Sequence, residues 1–151
     1  MNGMEGLDEE LKQDEASKEN NITDFEEAKK KRRPFHYWTV GGVEHKMKLT
    51  TDMITMLENK YRMNILTIIS DNDIPPLSTM LTIAQAAINP WEHGTKYETV
   101  KAMYNKWVEE GGNQIDLLAK VIIPTMSVSG FFTEAQAEAI LNGIEKKDML
   151  I

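Results

Sequence analysis

The chain has 151 residues, of which 41% are hydrophobic and 27% charged, so it can hold one domain with a real core and reads as globular rather than fibrous or membrane-embedded. It has no cysteine, which excludes a disulfide framework, a thiolate metal site and a cysteine nucleophile, and suits a reducing cytosol. The formal net charge of -7 repels polyanions at long range, so proteins are more natural partners than nucleic acid.

Met1 to Arg33 stands apart. It is poor in apolar residues, carries ten acidic groups before Ala28, and ends in the basic run Lys29 to Arg33. Such a segment cannot bury enough surface to fold alone, and a flexible or docked charged arm over 1–33 is expected. Thr23 and Glu26 have capping-box spacing, and Pro34 should stop any helix entering from there. The opening residues Met1 to Glu10 are acidic, and no apolar run approaches the roughly 18 residues that span a bilayer. Neither secretion nor membrane insertion is expected.

From Phe35 to Leu49 the apolar period is two. Gly41-Gly42 supplies the positive-φ pair of a tight turn, so Val40 should face Val43, Trp38 should face His45 and His36 should face Met47, with the apolar set on one side. After Leu49 the period becomes helical. Thr50 to Asp52 caps a helix bearing Met53, Met56, Leu57 and Tyr61, and a short helix follows Asn64. Asp71 to Asp73 interrupts, and Pro75-Pro76 opens a central helix with the stripe Leu77, Met80, Leu81, Ala84, Ala87 and Ile88, ended by Asn89-Pro90.

Thr95 and Glu98 have capping-box spacing ahead of a helix whose face is Tyr97, Val100, Tyr104, Trp107 and Val108, stopped by Gly111-Gly112. Asn113 and Asp116 open a helix that is apolar nearly all round from Leu117 to Ile123, which Pro124 should kink or end. Thr133 and Gln136 repeat the capping-box spacing before a last helix with inner residues Ala137, Ile140, Leu141 and Ile144, fraying from Glu145. The expectation is a mainly α fold: a compact domain over 34–145 with a β-hairpin ahead of about five to six helices, and a frayed end over 146–151.

No catalytic constellation stands out. A glycine-rich phosphate loop, a nucleophile elbow, a metalloprotease histidine pair and a calcium loop are all missing from the sequence, so no enzyme, cofactor or metal site is expected. His36 and His45 fall diagonally on one hairpin face within reach of a shared metal ion, but packing beside Trp38 explains them as well without a third ligand. Asp71 and Asp73 read as a solvated turn, and His93-Gly94 as a loop with a positive-φ glycine. The run Lys29 to Arg33 is the one nucleic-acid feature, and nearby carboxylates can neutralise it.

The string Leu49-Thr50-Thr51 leads to Leu57-Glu58, and Ile74-Pro75-Pro76-Leu77-Ser78-Thr79-Met80-Leu81 follows. His93-Gly94 stands before an amphipathic helix and Gly111-Gly112 after it, and Val128-Ser129-Gly130-Phe131-Phe132 lies near the end. In order and spacing these strings resemble the tail assembly chaperones of long-tailed bacteriophages and prophages of Gram-positive hosts. The resemblance runs from Phe35 to Phe132. It implies a non-catalytic helical protein that binds the tape measure protein, keeps its hydrophobic helices soluble and helps recruit tail tube protein around it. It further implies action in the host cytoplasm, absence from the finished virion, and a capacity for self-association.

A holdase of this kind needs accessible apolar surface. The aromatic residues Trp38, Tyr97, Tyr104 and Trp107 are the sequence candidates for partner contact, since large aromatics carry much of the energy at contact centres. The ten methionines suit adaptable interfaces as well as cores. Two other readings remain open: a small regulatory protein binding nucleic acid through Lys29 to Arg33, and a minor structural component of the tail.

Overall fold

The computed structural model describes the backbone of residues 33–70 and 74–150 and the side chains of 33–69 and 74–144. The readings made for 1–32 and for Asp71 to Asp73 fall outside the described residues. Among the described residues the fold is mainly helical, with a two-stranded antiparallel sheet ahead of six helices. No helix among the described residues is long and apolar enough to cross a membrane.

The hairpin forms as its alternation dictates. Strand β1 (His36–Val40) pairs with β2 (Val43–Met47) in the expected register, with His36 opposite Met47, Trp38 opposite His45 and Val40 opposite Val43. Gly41 and Gly42 take φ of 58° and 78°, the left-handed pair that a two-residue turn requires. Trp38, Val40 and Met47 are buried, whereas Val43 is exposed although its partner is not, because the turn end of β2 is left uncovered.

Helix α1 (Thr51–Tyr61) starts where Thr50 Oγ1 accepts from the Met53 amide at 3.2 Å, with Asp52 in the first turn against the positive end of the helix dipole. It stops at Arg62, a non-glycine residue in the left-handed region at φ 53°. Helix α2 (Ile65–Ser70) follows, with Asn64 Oδ1 accepting from the Leu66 amide at 2.8 Å. Leu57 alone is fully buried on α1; Met53, Ile54 and Tyr61 are half-buried, and Met56, which shares their helical spacing, faces out.

Helix α3 (Leu77–Ile88) is the centre. Its small and aliphatic residues Met80, Ile83, Ala84, Ala87 and Ile88 are fully buried, which lets α1, β2 and the next two helices pack around it. Each large side chain buried here contributes about 1.5–3 kcal/mol. Its end is joined to the hairpin by the Lys48 amide donating to the Ala87 carbonyl at 3.0 Å.

Helix α4 (Tyr97–Glu109) begins one residue later than a Thr95 cap requires. The Thr95 hydroxyl instead donates to the Glu92 carbonyl at 2.6 Å inside the preceding loop, so the expected capping box does not form. Val100 and Tyr104 are buried, but Val108, expected on the same face, is exposed. The stop is as read: Gly111 has φ 108°, and the Gly112 amide returns to the Trp107 carbonyl at 2.9 Å.

Asn113 caps helix α5 (114–128), its Oδ1 accepting from the Asp116 amide at 2.8 Å. Pro124 does not end this helix. It has no N–H for the Lys120 carbonyl four residues back, and its ring crowds that carbonyl. The chain responds by widening into a π-helical stretch over Leu117–Ile122, with the Ile123 amide bonding to the Leu118 carbonyl, and then continues as α-helix over Ile123–Val128. The Lys120 carbonyl accepts from His36 Nε2 at 2.8 Å, which ties β1 to this helix.

Helix α6 (Glu134–Leu150) opens with the capping box the sequence shows. Thr133 Oγ1 accepts from the Gln136 amide at 3.2 Å, and Gln136 Oε1 accepts from the Thr133 amide at 2.8 Å. Ala137 and Ile144 are buried against the core, and the helical backbone runs on to Leu150.

Candidate functional site

The largest side chains left uncovered on the α1–α2 side are flexible and apolar. Met56 is 52% and Met63 47% exposed, and Leu66 is exposed near them in sequence on α2. Met53, Met56 and Lys60 recur at helical spacing on one side of α1 and face Thr82, Gln85, Ala86 and Asn89 of α3 across a groove of about 220 Å³. A second depression of about 280 Å³ lies at the other end of α1, among Tyr61, Met63, Ile68 and the segment Ile74-Pro75-Pro76.

Local chemistry explains both surfaces. The left-handed backbone at Arg62 turns the chain sharply after α1, which leaves Met63 outside the helix packing. On the α3 wall, the Thr82 hydroxyl donates to the Ser78 carbonyl at 2.7 Å and the Gln85 amide to the Thr95 carbonyl at 3.3 Å. Those polar groups are turned to the backbone, so the groove floor is largely hydrocarbon and thioether. The two volumes fall at or just below the lower end of the roughly 300–1,000 Å³ of small-molecule pockets.

The four aromatics singled out from the sequence gather elsewhere. Trp38 is only 2% exposed and meets Trp107 edge to face at 5.7 Å, and Tyr104 lies 6.2 Å from Trp107 and is 8% exposed. Burial raises the Tyr104 hydroxyl above the usual tyrosine pKa. Tyr97 and Trp107 are half-buried against the same core. The group joins the hairpin to α4, where the Gly41 amide also donates to the Glu110 carboxylate at 2.9 and 3.1 Å. Trp38 and Tyr104 therefore offer almost no surface to a partner in this fold.

The two hairpin histidines take separate partners. His36 Nε2 serves the Lys120 carbonyl, whereas His45 Nδ1 donates to the Glu92 carboxylate at 2.7 Å. Among the described residues, no three histidine or carboxylate side chains converge as a metal ligand set. Burial holds the His36 pKa below the ordinary histidine value; the bond to Lys120 opposes this and the nearby Arg33 charge assists it. Beside them Phe35 meets the exposed Trp91 edge to face at 4.9 Å, with the Lys46 ammonium 4.5 Å above the Phe35 ring.

Sequence reasoning missed the exposed set Met56, Met63 and Leu66. The available signal was the abundance of methionine; which thioethers face out depends on how α1 lies on α3, which a helical period alone does not give. The chain matches no protein-family model, no curated protein and no solved structure.

Proposed function

We propose that this protein is a non-catalytic tail assembly chaperone of a tailed bacteriophage or prophage, which binds the tape measure protein and helps recruit tail tube protein during assembly in the host cytoplasm. The observation that carries the reading is that Met56 and Met63 are exposed and each lines a shallow apolar groove, with Leu66 exposed on α2. A chaperone for hydrophobic helices needs accessible apolar surface small enough not to aggregate the chaperone itself. Unbranched thioethers re-pack against varied side chains at low cost, which suits a client presenting many similar helices. The net charge of -7 favours solubility of the chain and opposes its self-aggregation.

Co-expression with the tape measure protein encoded downstream tests the proposal. The expected result is a soluble client that co-purifies with this chain; a client that stays insoluble and unbound with the chaperone present in excess refutes it.

A further inference from the structure

We infer that Met56 and Met63 are the sites at which a peroxide modifies this chain, and that their oxidation makes both surface depressions polar while leaving the core intact. Met56 is 52% and Met63 47% exposed, whereas Met47, Met80 and Met126 are fully enclosed and Met53 and Met103 are half-buried. In the reaction the Sδ lone pair attacks one oxygen of hydrogen peroxide and the O–O bond breaks. The sulfur is oxidised to a sulfoxide, and the second oxygen takes the proton of the first and leaves as water. The attack needs an approach to sulfur, which the exposed pair offers in the folded state and the enclosed three offer only when the core opens. Met47 shows the protected setting, its Sδ accepting from the Thr125 hydroxyl at 3.6 Å inside the core. Met56 lines the depression between α1 and α3, and Met63 lines the one beside Ile74-Pro75-Pro76. A sulfoxide is polar and accepts hydrogen bonds, so one oxygen on each methionine places a polar group in each depression. The fully buried contact of α1 is made by Leu57, which has no sulfur, so the packing of that helix does not depend on the modified atoms. The change is reversible, since one reductase for each sulfoxide epimer restores the thioether.

The test treats the full folded chain with hydrogen peroxide and follows each methionine over time by peptide mass mapping, with Met1, Met4 and Met149 followed apart from the comparison. Met56 and Met63 should oxidise first, at least about a hundredfold faster than Met47, Met80 and Met126, with Met53 and Met103 between. At the stage where the exposed pair is oxidised, the chain should still unfold cooperatively at a nearly unchanged Tm and elute earlier from a hydrophobic-interaction column. The same treatment of a Met56→Leu, Met63→Leu chain, which keeps apolar volume at both positions, should shift the elution less. Treatment of the oxidised wild type with both sulfoxide reductases should return the original elution. The inference is overturned if Met53 or Met103 oxidises as fast as the exposed pair, or if an enclosed methionine oxidises at a comparable rate. Loss of cooperative unfolding at that stage, or an elution shift no larger in the wild type than in the double variant, overturns it as well. Mass mapping of the wild type decides the sites whether or not the double variant folds.

Discussion

The bond from His36 to the Lys120 carbonyl is a repair for Pro124, and removing the donor should expose the cost of that proline. In His36→Leu the hydrocarbon contact with α5 is largely kept, but the Lys120 carbonyl, four residues before Pro124, loses its donor at 2.8 Å. The bond is an exposed one, so water can take the donor's place and its loss costs about 0.5–1.5 kcal/mol, with a fall of roughly 3–6 °C in Tm per kcal/mol for a domain of this size. In a Pro124→Ala background the restored amide lets the helix bond Lys120 internally, so the same His36→Leu change should cost at least ~0.5 kcal/mol less. Urea unfolding of the four variants gives the coupling. Equal costs in both backgrounds would refute the reasoning. The pH dependence has a fixed direction too. Because burial keeps the folded-state pKa of His36 below its unfolded value, its contribution is complete above the ordinary histidine pKa and is lost as pH falls through the folded value. The Tm of the wild type should therefore drop more between neutral and mildly acid pH than that of His36→Gln, which keeps an amide donor without titrating.

Three further substitutions probe local chemistry. Arg62→Gly should stabilise the protein by about 0.5–1 kcal/mol in urea unfolding, since glycine takes the left-handed conformation at φ 53° without side-chain strain. Gly112→Ala should destabilise by roughly 1–3 kcal/mol in the same assay, because the Trp107 ring lies where the new Cβ must go. Thr133→Ala removes the hydroxyl that caps α6 and should lower stability by about 1 kcal/mol, with amide exchange accelerating first at the start of that helix.

Where a feature depended on neighbours in the chain, the sequence was enough to read it. The Gly41-Gly42 turn set the hairpin register, the Thr133–Gln136 box set the start of α6, and the apolar run over α3 marked its central position. Features decided by competition between distant groups were not legible. Thr95 had the right spacing for a cap, but its hydroxyl found the Glu92 carbonyl first. Pro124 signalled a kink or an end, and α5 continues through it with a π-helical stretch, beside which a histidine of β1 donates to the Lys120 carbonyl. The same limit applies to the candidate site. Trp38 and Tyr104 have the chemistry of contact residues, but they are consumed in joining the hairpin to α4, and the exposed large apolar side chains are others, among them Met56 on α1, Met63 beside Arg62 and Val43 on β2.

The central claim concerns holding an aggregation-prone client. The most direct measurement is light scattering as urea-unfolded tape measure protein is diluted into buffer with increasing amounts of the purified chain and no nucleotide. Scattering that is suppressed near stoichiometric ratios, and restored by Met56→Glu, is the expected result. Scattering unchanged at severalfold excess of a folded, monodisperse chain would contradict the account.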